Sequence, residues 1–291
     1  LNVSPDILLT NANILNYQIN NTEDSALSFK LGYLKDLAED MTVFVQYAEG
    51  FKAPDYETSN TVFTNYLYYY TVIPNPNLES EESDTIEIGL RGAGEESAWE
   101  FVLYQSEVEG FIHPEVVGFN RGLGIYQYQN AENVEIQGIE FDYERNLTDQ
   151  LSLKLALALS SGDLLEGVEK HPLPEIDPKE LIVGLNWNSL DDKLALQVLL
   201  TVADNSKDNL EEVCVNNSCS PRVQTSGYSL VDLFATYRSN ENLEFRFAIE
   251  NATDKKYLRW ASVAALPAND SELDLYGQSG RSISASFRYT F

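Results

Sequence analysis

The chain has 291 residues and lacks long hydrophobic runs, although 43% of its residues are hydrophobic. No run approaches the roughly 18 consecutive apolar residues that a membrane-spanning helix needs. That absence does not exclude a membrane protein, because alternating strands average to a hydropathy near zero, and the mean hydropathy here is -0.27. Methionine occurs once, whereas tyrosine occurs 17 times and phenylalanine 13 times. Abundant aromatic residues fit the girdles of a membrane β-barrel, and they also fit an all-β sandwich.

Positive charge is also scarce. The chain has 19 basic residues against 46 acidic ones, so that its formal net charge is -27. This balance argues against nucleic acid as a partner, because the phosphates would be repelled. No phosphate-binding loop, metal-ligand spacing or nucleophile motif occurs in the sequence. We therefore predict no catalytic residues, no metal site and no enzymatic activity.

The chain has only two cysteines, Cys214 and Cys219, and four residues separate them. This spacing suits a small loop closed by a disulfide, which an oxidising compartment would favour. A zinc site is the less favoured interpretation, because neither His113 nor His171 is near the cysteines in sequence.

Apolar and polar residues alternate with a period of two along much of the chain, which predicts strands with one apolar face. In the last eleven residues, Ile283, Phe287 and Phe291 fall on the apolar face, and leucine occupies every second position between 151 and 159. The pattern predicts eleven strands, at 26–34, 41–49, 84–91, 98–110, 125–143, 151–160, 179–188, 193–203, 227–238, 243–250 and 281–291.

The connections between these strands alternate between short and long. The short ones suit tight turns and lie at 35–40, 92–97, 146–150, 189–192 and 239–242. The long ones lie at 50–83, 111–124, 161–178, 204–226 and 251–280. Short turns at one end and long loops at the other are the organisation of outer-membrane barrels. Single-chain bacterial barrels have even strand numbers, and the largest plugged ones have about 22, so eleven strands predict half of a larger barrel.

Two motifs flank the first long connection. Phe51-Lys52-Ala53-Pro54 precedes it, and Asn75-Pro76-Asn77-Leu78 follows it directly before a strand. Together they resemble the Phe-Arg-Ala-Pro and Asn-Pro-Asn-Leu boxes of the TonB-dependent outer-membrane receptors, in the haem, haemoglobin and transferrin branch. Lys52 replaces the arginine of the first box, and the second box is intact.

Further segments resemble the same family in the expected order, so that the resemblance covers about residues 28–291. Residues 133–140 are similar to a strand that ends in Gly-x-Glu, and Pro172-Leu173 with 176–178 is similar to a loop-to-strand element. Residues 227–233 and 251–257 are similar to the penultimate hairpin. The last resemblance is the aromatic final strand with Phe287, Tyr289 and Phe291.

The sequence departs from the branch at the ligand position. Haem receptors of this branch place a histidine between the two boxes as an axial iron ligand, and this sequence has none there. The segment carries Tyr66, Tyr68, Tyr69 and Tyr70 instead. A tyrosinate can ligate haem iron, whereas tyrosine clusters are also common where loops bind a protein. His113, at the base of the next long connection, is either a further ligand candidate or a structural residue.

We therefore predict an all-β fold, a transmembrane antiparallel β-barrel in which residues 1–291 form the C-terminal part and supply about eleven of 22 strands. The polar strand faces would line the lumen with Glu87, Glu140, Asp142, Asp232 and Glu244. The resemblance implies that a plug domain and the first strands precede Leu1.

The resemblance also implies a receptor in the outer membrane of a Gram-negative bacterium that takes up haem or iron from a host carrier protein. Its partners would be outer-membrane lipid, the TonB complex through the plug, and haem or its carrier protein. No intrinsic cofactor is implied, since haem would be the transported ligand. Three alternatives remain open: a receptor for a siderophore or another small nutrient, which the missing histidine favours; a passive channel without a plug; and an outer-membrane enzyme with its site in the loops.

Overall fold

The computed structural model describes residues 24–66, 69–120, 122–130, 133–166, 169–174, 176–206, 212–215 and 218–291. In chain order its strands are β1 (Lys30–Ala38), β2 (Met41–Lys52), β3 (Phe63–Asn65), β4 (Tyr70–Ile73), β5 (Glu81–Ala93), β6 (Ser97–Glu109), β7 (Ile112–Asn120), β8 (Leu123–Asn130), β9 (Asn133–Asn146), β10 (Leu151–Glu166), β11 (Glu169–Pro172), β12 (Glu180–Asn188), β13 (Leu194–Ala203), β14 (Glu212–Val215), β15 (Ser218–Pro221), β16 (Tyr228–Asn240), β17 (Leu243–Glu250) and β18 (Ser282–Tyr289).

One large antiparallel sheet organises the chain. Its spatial order is β1-β2-β5-β6-β9-β10-β12-β13-β16-β17-β18, and β11 extends it beside the end of β10. The short connections are tight turns at 39–40, 94–96, 147–150, 189–193 and 241–242. Because each strand reverses the direction of the one before it, all short turns lie at one end of the sheet and all long connections at the other.

The long connections carry secondary structure of their own. The first contains β3, β4 and the short helix α1 (Tyr56–Asn60), and the second contains β7 and β8. These strands form a four-stranded sheet in the order β3-β4-β8-β7, in which β4 and β8 are parallel. The last connection contains α2 (Trp260–Val263) and a 3-10 turn at Leu273–Tyr276. Within the described ranges, no helix has the length and apolar character that a membrane span requires.

The large sheet has one apolar face and one polar face, and the apolar face is open. On β5, Ile86 and Ile88 are exposed, while Glu87 lies on the other face. On β18, Ile283 is 74% exposed and Phe287 is 72% exposed. None of the leucines between 151 and 159 is buried. Exposed apolar side chains at every second position along adjacent strands fit contact with lipid.

The opposite face carries the carboxylates that the alternation assigned to it. Pairing across adjacent strands places Glu100 directly between Arg91 and Asp142, so that Glu100 joins this polar face as well. The predicted members Glu87, Glu140, Asp142, Asp232 and Glu244 have the register of the same face.

Buried apolar side chains cluster at the end of the large sheet that bears the long connections. Among the described residues they are Leu78, Val134, Leu173, Ala203, Val223, Trp260 and Val263. All of them lie in the long connections or at the strand ends next to them. The middle of the described sheet therefore has no buried apolar core of the kind that the two packed layers of a sandwich would form.

Two glycines on the polar face fix the register of neighbouring strands. Gly89 pairs with Phe44, and Gly138 pairs with Tyr104. A Cβ atom at either glycine would run into the facing ring. Each ring therefore covers a glycine and holds its strand against the next one.

The alternation predicted the strands of the large sheet with one error, at 125–143. That segment is two strands, because β8 ends at Asn130 in the smaller sheet and β9 begins at Asn133 in the large one. No Gly or Pro marks the break, so the sequence gives no stop signal there. The first strand also runs from Lys30 to Ala38 instead of 26–34, which shortens the first turn. The eleven-strand path is confirmed over the described residues.

The two faces predict a large difference between neighbouring positions of β13. Val198 is exposed on the apolar face, and Gln197 lies on the polar face, where its Nε2 atom donates to Asn186 at 2.9 Å. In the complete protein, Val198→Arg should lower the free energy of unfolding in lipid vesicles by about 2–4 kcal/mol, because the charge must enter hydrocarbon. The matched control Gln197→Arg should cost about 0.5 kcal/mol or less. Urea titration measures both, and equal losses would contradict the assignment of the faces.

The hairpin of β14 and β15 brings the two cysteine positions together. In its backbone register Cys214 pairs directly with Cys219. Directly paired residues of antiparallel strands have Cα atoms at a distance that a disulfide can span. We expect the purified protein to be lighter than its reduced form by two hydrogen atoms, as intact mass before and after reduction would show. Alkylation of both cysteines without a reductant would count against the bond.

Candidate functional site

The two motifs that flank the first long connection meet at the loop end of the large sheet. Lys52 of the first motif pairs with Glu81, and the Nζ and Oε2 atoms of these residues are 3.0 Å apart. The Glu81 side chain is only 10% exposed, and its other oxygen accepts a hydrogen bond from the N–H of Ile112 at 2.9 Å. Glu81 therefore joins the first motif to the start of the second long connection. In the same motif Pro54 is buried, Phe51 is half-buried and Ala53 is exposed.

The Asn-Pro-Asn-Leu motif is fixed to β8. Asn75 is buried, and its Nδ2 atom donates to the carbonyl of Tyr128 at 2.8 Å. Its Oδ1 atom accepts from the N–H of Asn77 at 3.1 Å, which closes a turn. Leu78 is buried, and Pro76 is half-buried. The motif therefore acts as a joint between the first and the second long connection.

Asn130, at the end of β8, makes a second joint that the sequence did not suggest. Its Oδ1 atom accepts from the N–H of Glu79, and its Nδ2 atom donates to the carbonyl of the same residue, both at 2.9 Å. Nδ2 also donates to the carbonyl of Gly110 at 2.6 Å. One side chain thus binds the backbone of both connections.

These joints hold a four-stranded sheet with one aromatic face. Register aligns Phe63, Tyr126 and Val116 in one row, and Tyr70 and Phe119 in the next row of the same face. The ring centroid of Tyr70 is 6.0 Å from that of Phe63 and 5.8 Å from that of Tyr126. Phe63, Val116 and Phe119 are exposed. We call these five residues the aromatic face, and an exposed apolar surface of this kind on a braced sheet is suited to binding.

Three of the four candidate tyrosines lie beside or within the aromatic face. Tyr66 is 67% exposed and Tyr69 is 55% exposed near the turn between β3 and β4, while Tyr70 belongs to the face itself. Tyr69 has a φ of 53°, which is uncommon for a residue with a side chain, and its carbonyl accepts from the N–H of Gly124 at 2.9 Å. Tyr68, the fourth candidate, lies outside the described residues.

His113 is not on the same face as these tyrosines. His113 pairs with Gln129, which lies three residues after Tyr126 on β8. Because side chains alternate along a strand, Gln129 and His113 point to the side of the sheet opposite the aromatic face. The Nε2 atom of His113 is 3.0 Å from Oε1 of Glu115, and its ring stacks on Phe111 with a centroid distance of 6.4 Å. The structure therefore does not bring His113 together with the tyrosines.

The fourth and fifth long connections share a small apolar core around Trp260, and a hydrogen bond joins the third to it. Val223 and Val263 are buried against this tryptophan, with Leu266 packed beside them. The indole Nε1 atom of Trp260 donates to the carbonyl of Pro174 at 2.8 Å. This core is not among the features predicted from the sequence, although a tryptophan in a long polar connection is the signal that would have predicted it.

The charges of the described loops do not form a metal site. Among the described residues, no group of three or more His, Cys, Asp or Glu side chains could hold a metal ion. The carboxylate of Asp55 caps α1, where it accepts from the N–H of Thr58 at 2.7 Å. This backbone hydrogen bond holds the pKa of Asp55 below its usual value, so that the cap is charged at neutral pH.

The aromatic residues at the C-terminal end of the described chain are exposed. Phe287 and Tyr289 are exposed on β18, and the rings of Tyr289 and Phe291 meet edge to face with centroids 5.1 Å apart. They lie at the end of the sheet with the short turns, where aromatic side chains suit the boundary between lipid and water.

The joint at Asn75 predicts that a single amide supports the second connection. Asn75→Ala would leave the buried carbonyl of Tyr128 without this donor, at a cost of about 1–3 kcal/mol in local stability. Hydrogen exchange of residues 123–130 should accelerate accordingly. The matched control Asn77→Ala removes an exposed side chain and should leave exchange unchanged. Equal exchange in the two variants would show that Asn75 is not the joint.

Sequence comparison finds relatives at low identity. The chain is 24% identical over 264 residues to the probable hemoglobin and hemoglobin-haptoglobin-binding protein 4 of Haemophilus influenzae, over 82% of the chain and 26% of the relative. It is 28% identical over 246 residues to the vitamin B12 transporter BtuB of Photobacterium profundum, over 83% of the chain and 35% of the relative. The chain thus spans about a quarter to a third of the length of these curated relatives.

Solved structures share the fold. The chain superposes on the copper transporter OprC with a TM-score of 0.69 at 18% identity, over 90% of this chain and 38% of that one. It superposes on an enterobactin-bound mutant of the ferric enterobactin receptor PfeA of Pseudomonas aeruginosa with a TM-score of 0.69 at 22% identity, over 91% and 40%. At these identities the likeness shows the fold alone.

The family comparison agrees with the open apolar face, the arrangement of turns and loops, and the two motifs. The model of the family described as TonB dependent receptor-like, beta-barrel, matches residues 7–252. The predicted family, the outer-membrane location and the prediction that the protein is no enzyme are confirmed by this match. The chain belongs to the TonB-dependent receptor-like β-barrel family, whose members are transport proteins in the outer membrane of Gram-negative bacteria.

Proposed function

We propose that the chain is part of a receptor that takes up haem or iron from a host carrier protein, with energy supplied through TonB. The observation that supports this most directly is the aromatic face, which the two motifs brace at the loop end of the barrel wall. Aromatic side chains on a rigid support bury a large area at little cost in conformational entropy, as protein-binding surfaces require.

The relatives support a protein carrier as the source of the ligand. Besides the Haemophilus influenzae protein, the hemoglobin and hemoglobin-haptoglobin-binding protein of Haemophilus ducreyi is 23% identical over 84% of the chain. Their names describe proteins that bind hemoglobin, and the aromatic face offers this chain a comparable contact surface. Haem itself would be the cargo, so the proposal needs no resident cofactor.

The polar face of the wall suits the second half of the transport route. A plug domain within the complete receptor would contact the lumen carboxylates, several of which already have partners in the wall. Glu87 accepts from Gln46 at 3.2 Å, and Glu244 accepts from Arg246 at 2.6 Å. Movement of the plug, driven by TonB, would open the path to the periplasm.

A receptor for a siderophore or another small nutrient is the second candidate. The absence of a histidine between the two motifs favours it, since no imidazole is available there for haem iron. The vitamin B12 transporter at 28% identity is a relative of this kind. Phenols such as those of Tyr66 and Tyr69 could contact either class of ligand.

Growth of a siderophore-deficient Gram-negative host that carries the complete receptor tests the proposal. With haemoglobin as the only iron source we expect growth, and removal of TonB from the host should abolish it. Growth on a ferric siderophore alone would support the second candidate. Steady conductance of the purified receptor in a planar bilayer would instead indicate a channel without a plug.

The exposed tyrosines predict where the carrier is held. Replacement of both Tyr66 and Tyr69 by alanine should weaken haemoglobin binding by about tenfold, as loss of buried aromatic contacts does. Surface plasmon resonance with the complete receptor measures this affinity. Leu190→Ala, which removes a still more exposed side chain from a short turn at the opposite end, is the control.

Phenylalanine at the same two positions separates packing from iron ligation. It keeps the rings and removes the phenols, so haemoglobin affinity should persist. A change in the haem absorbance spectrum would then reveal a phenolate ligand. Unchanged affinity of the double alanine variant would remove these tyrosines from the proposed surface.

A further inference from the structure

A short basic segment stands out within the fifth long connection. Lys255, Lys256 and Arg259 place three cations within five residues of a chain whose net charge is -27. Among the described residues, no carboxylate lies within ion-pair distance of any of the three. Three cations that form no such ion pair are a local attractor for anions in a strongly acidic chain. The carboxylate of Glu180 acts on the same phenol, that of Tyr228, as Arg259 does.

Arg259 lies on the lumen side of the wall. Its guanidinium group is beside the phenol of Tyr228, the first residue of β16. Tyr228 shares the polar face with Asp232, whereas Leu233 is exposed on the lipid face. The ring of Tyr257 packs on that of Tyr228 with centroids 4.3 Å apart and planes at 42°. The basic segment is therefore folded over the loop-side mouth of the lumen.

The segment is held in place at both ends. Asn251 is buried, its N–H donates to Oδ1 of Asp232 at 2.6 Å, and its Nδ2 atom donates to the carbonyl of Lys255 at 2.8 Å. Directly after Arg259, the buried Trp260 is bonded to the carbonyl of Pro174 at 2.8 Å. The backbone that carries Arg259 is thus held in place before a ligand arrives, which lowers the entropic cost of ordering this segment on binding.

We propose that Arg259, backed by the contacting rings of Tyr228 and Tyr257, is a recognition site for the carboxylate groups of a flat aromatic ligand at the mouth of the lumen. A guanidinium group binds a carboxylate through two parallel hydrogen bonds, and the phenol rings offer a surface for a planar ring. This inference rests on the proposed function, in which the ligand is haem, a planar ring with carboxylate side chains. The site would receive haem after its release at the aromatic face.

Titration of the complete receptor with haem and with haem dimethyl ester tests the site, because the ester keeps the ring and loses the charge. We expect Arg259→Ala to weaken haem binding by about tenfold and to leave binding of the ester unchanged. Lys256→Ala, the matched control, removes the same charge three residues away and should have little effect. Arg259 is exposed and makes no side-chain capping bond to α2, so the variant should keep the fold.

A second probe keeps the result decisive if the receptor does not take haem. Pyrenetetrasulfonate is a flat polyanion whose fluorescence reports binding, and Arg259→Ala should weaken its affinity by about tenfold as well. If the wild type does not bind haem but Arg259→Ala weakens the binding of pyrenetetrasulfonate, the haem function is contradicted and the anion site is supported. Equal haem affinity in wild type and Arg259→Ala would overturn the site. In the absence of haem binding, probe binding that is equal or undetectable in both would overturn it too.

Discussion

Backbone amides have no water to bond in hydrocarbon, and this constraint governs the rest of the structure. The antiparallel ladder from β1 to β18 satisfies it, because each strand pairs with its neighbours over most of its length. When all backbone N–H and C=O groups of a strand are bonded to its neighbours, only its side chains differ from one face of the sheet to the other. The period of two then sends apolar groups such as Ile86 and Ile88 to the lipid and Glu87 to the lumen.

One face of the wall contacts lipid and the other lines the lumen, so apolar side chains pack tightly only at the loop end of the described sheet. The buried apolar residues lie there, and they serve two different arrangements. The first two long connections are braced by polar joints at Glu81, Asn75 and Asn130, each of which bonds backbone across the connections. The last two are held by apolar contacts around Trp260, and the third is joined to them by the hydrogen bond from the indole of Trp260 to Pro174. Binding surfaces on this receptor therefore rest on preorganised loops rather than on the barrel itself.

The sequence predicted what depends on local periodicity and missed what depends on distant contacts. Alternation alone gave ten of the eleven wall strands their approximate positions, since each residue reports its own face. The parallel pairing of β4 with β8 joins two different connections, and neither segment carries a sequence signal that predicts the pairing. For the same reason β8 was indistinguishable from the start of β9. The two motifs indicated a family. The ion pair of Lys52 with Glu81 and the contact between the rings of Tyr257 and Tyr228 cannot be read from the sequence, because each joins residues that are far apart in the chain.

Part of the large negative charge lies where the wall meets water. Glu49, Asp84, Glu107 and Glu135 pair directly across four strands on the lipid side, just beyond the last apolar residues. Like charges directly opposite one another destabilise a sheet, so such a row needs screening by water and salt in addition to the ion pair that Lys170 forms with Glu135 at 2.7 Å.

The row therefore marks the outer edge of the hydrocarbon, between Ile86 and Asp84 on β5. This rim repels an anionic ligand from the outside of the barrel, whereas Arg259 lies on the lumen side, beside the polar-face residue Tyr228. A negatively charged ligand that is held at the loops is consequently attracted to Arg259 at the mouth of the lumen and not to the outer rim, whereas the carboxylates of the polar face, such as that of Glu140, oppose its further passage.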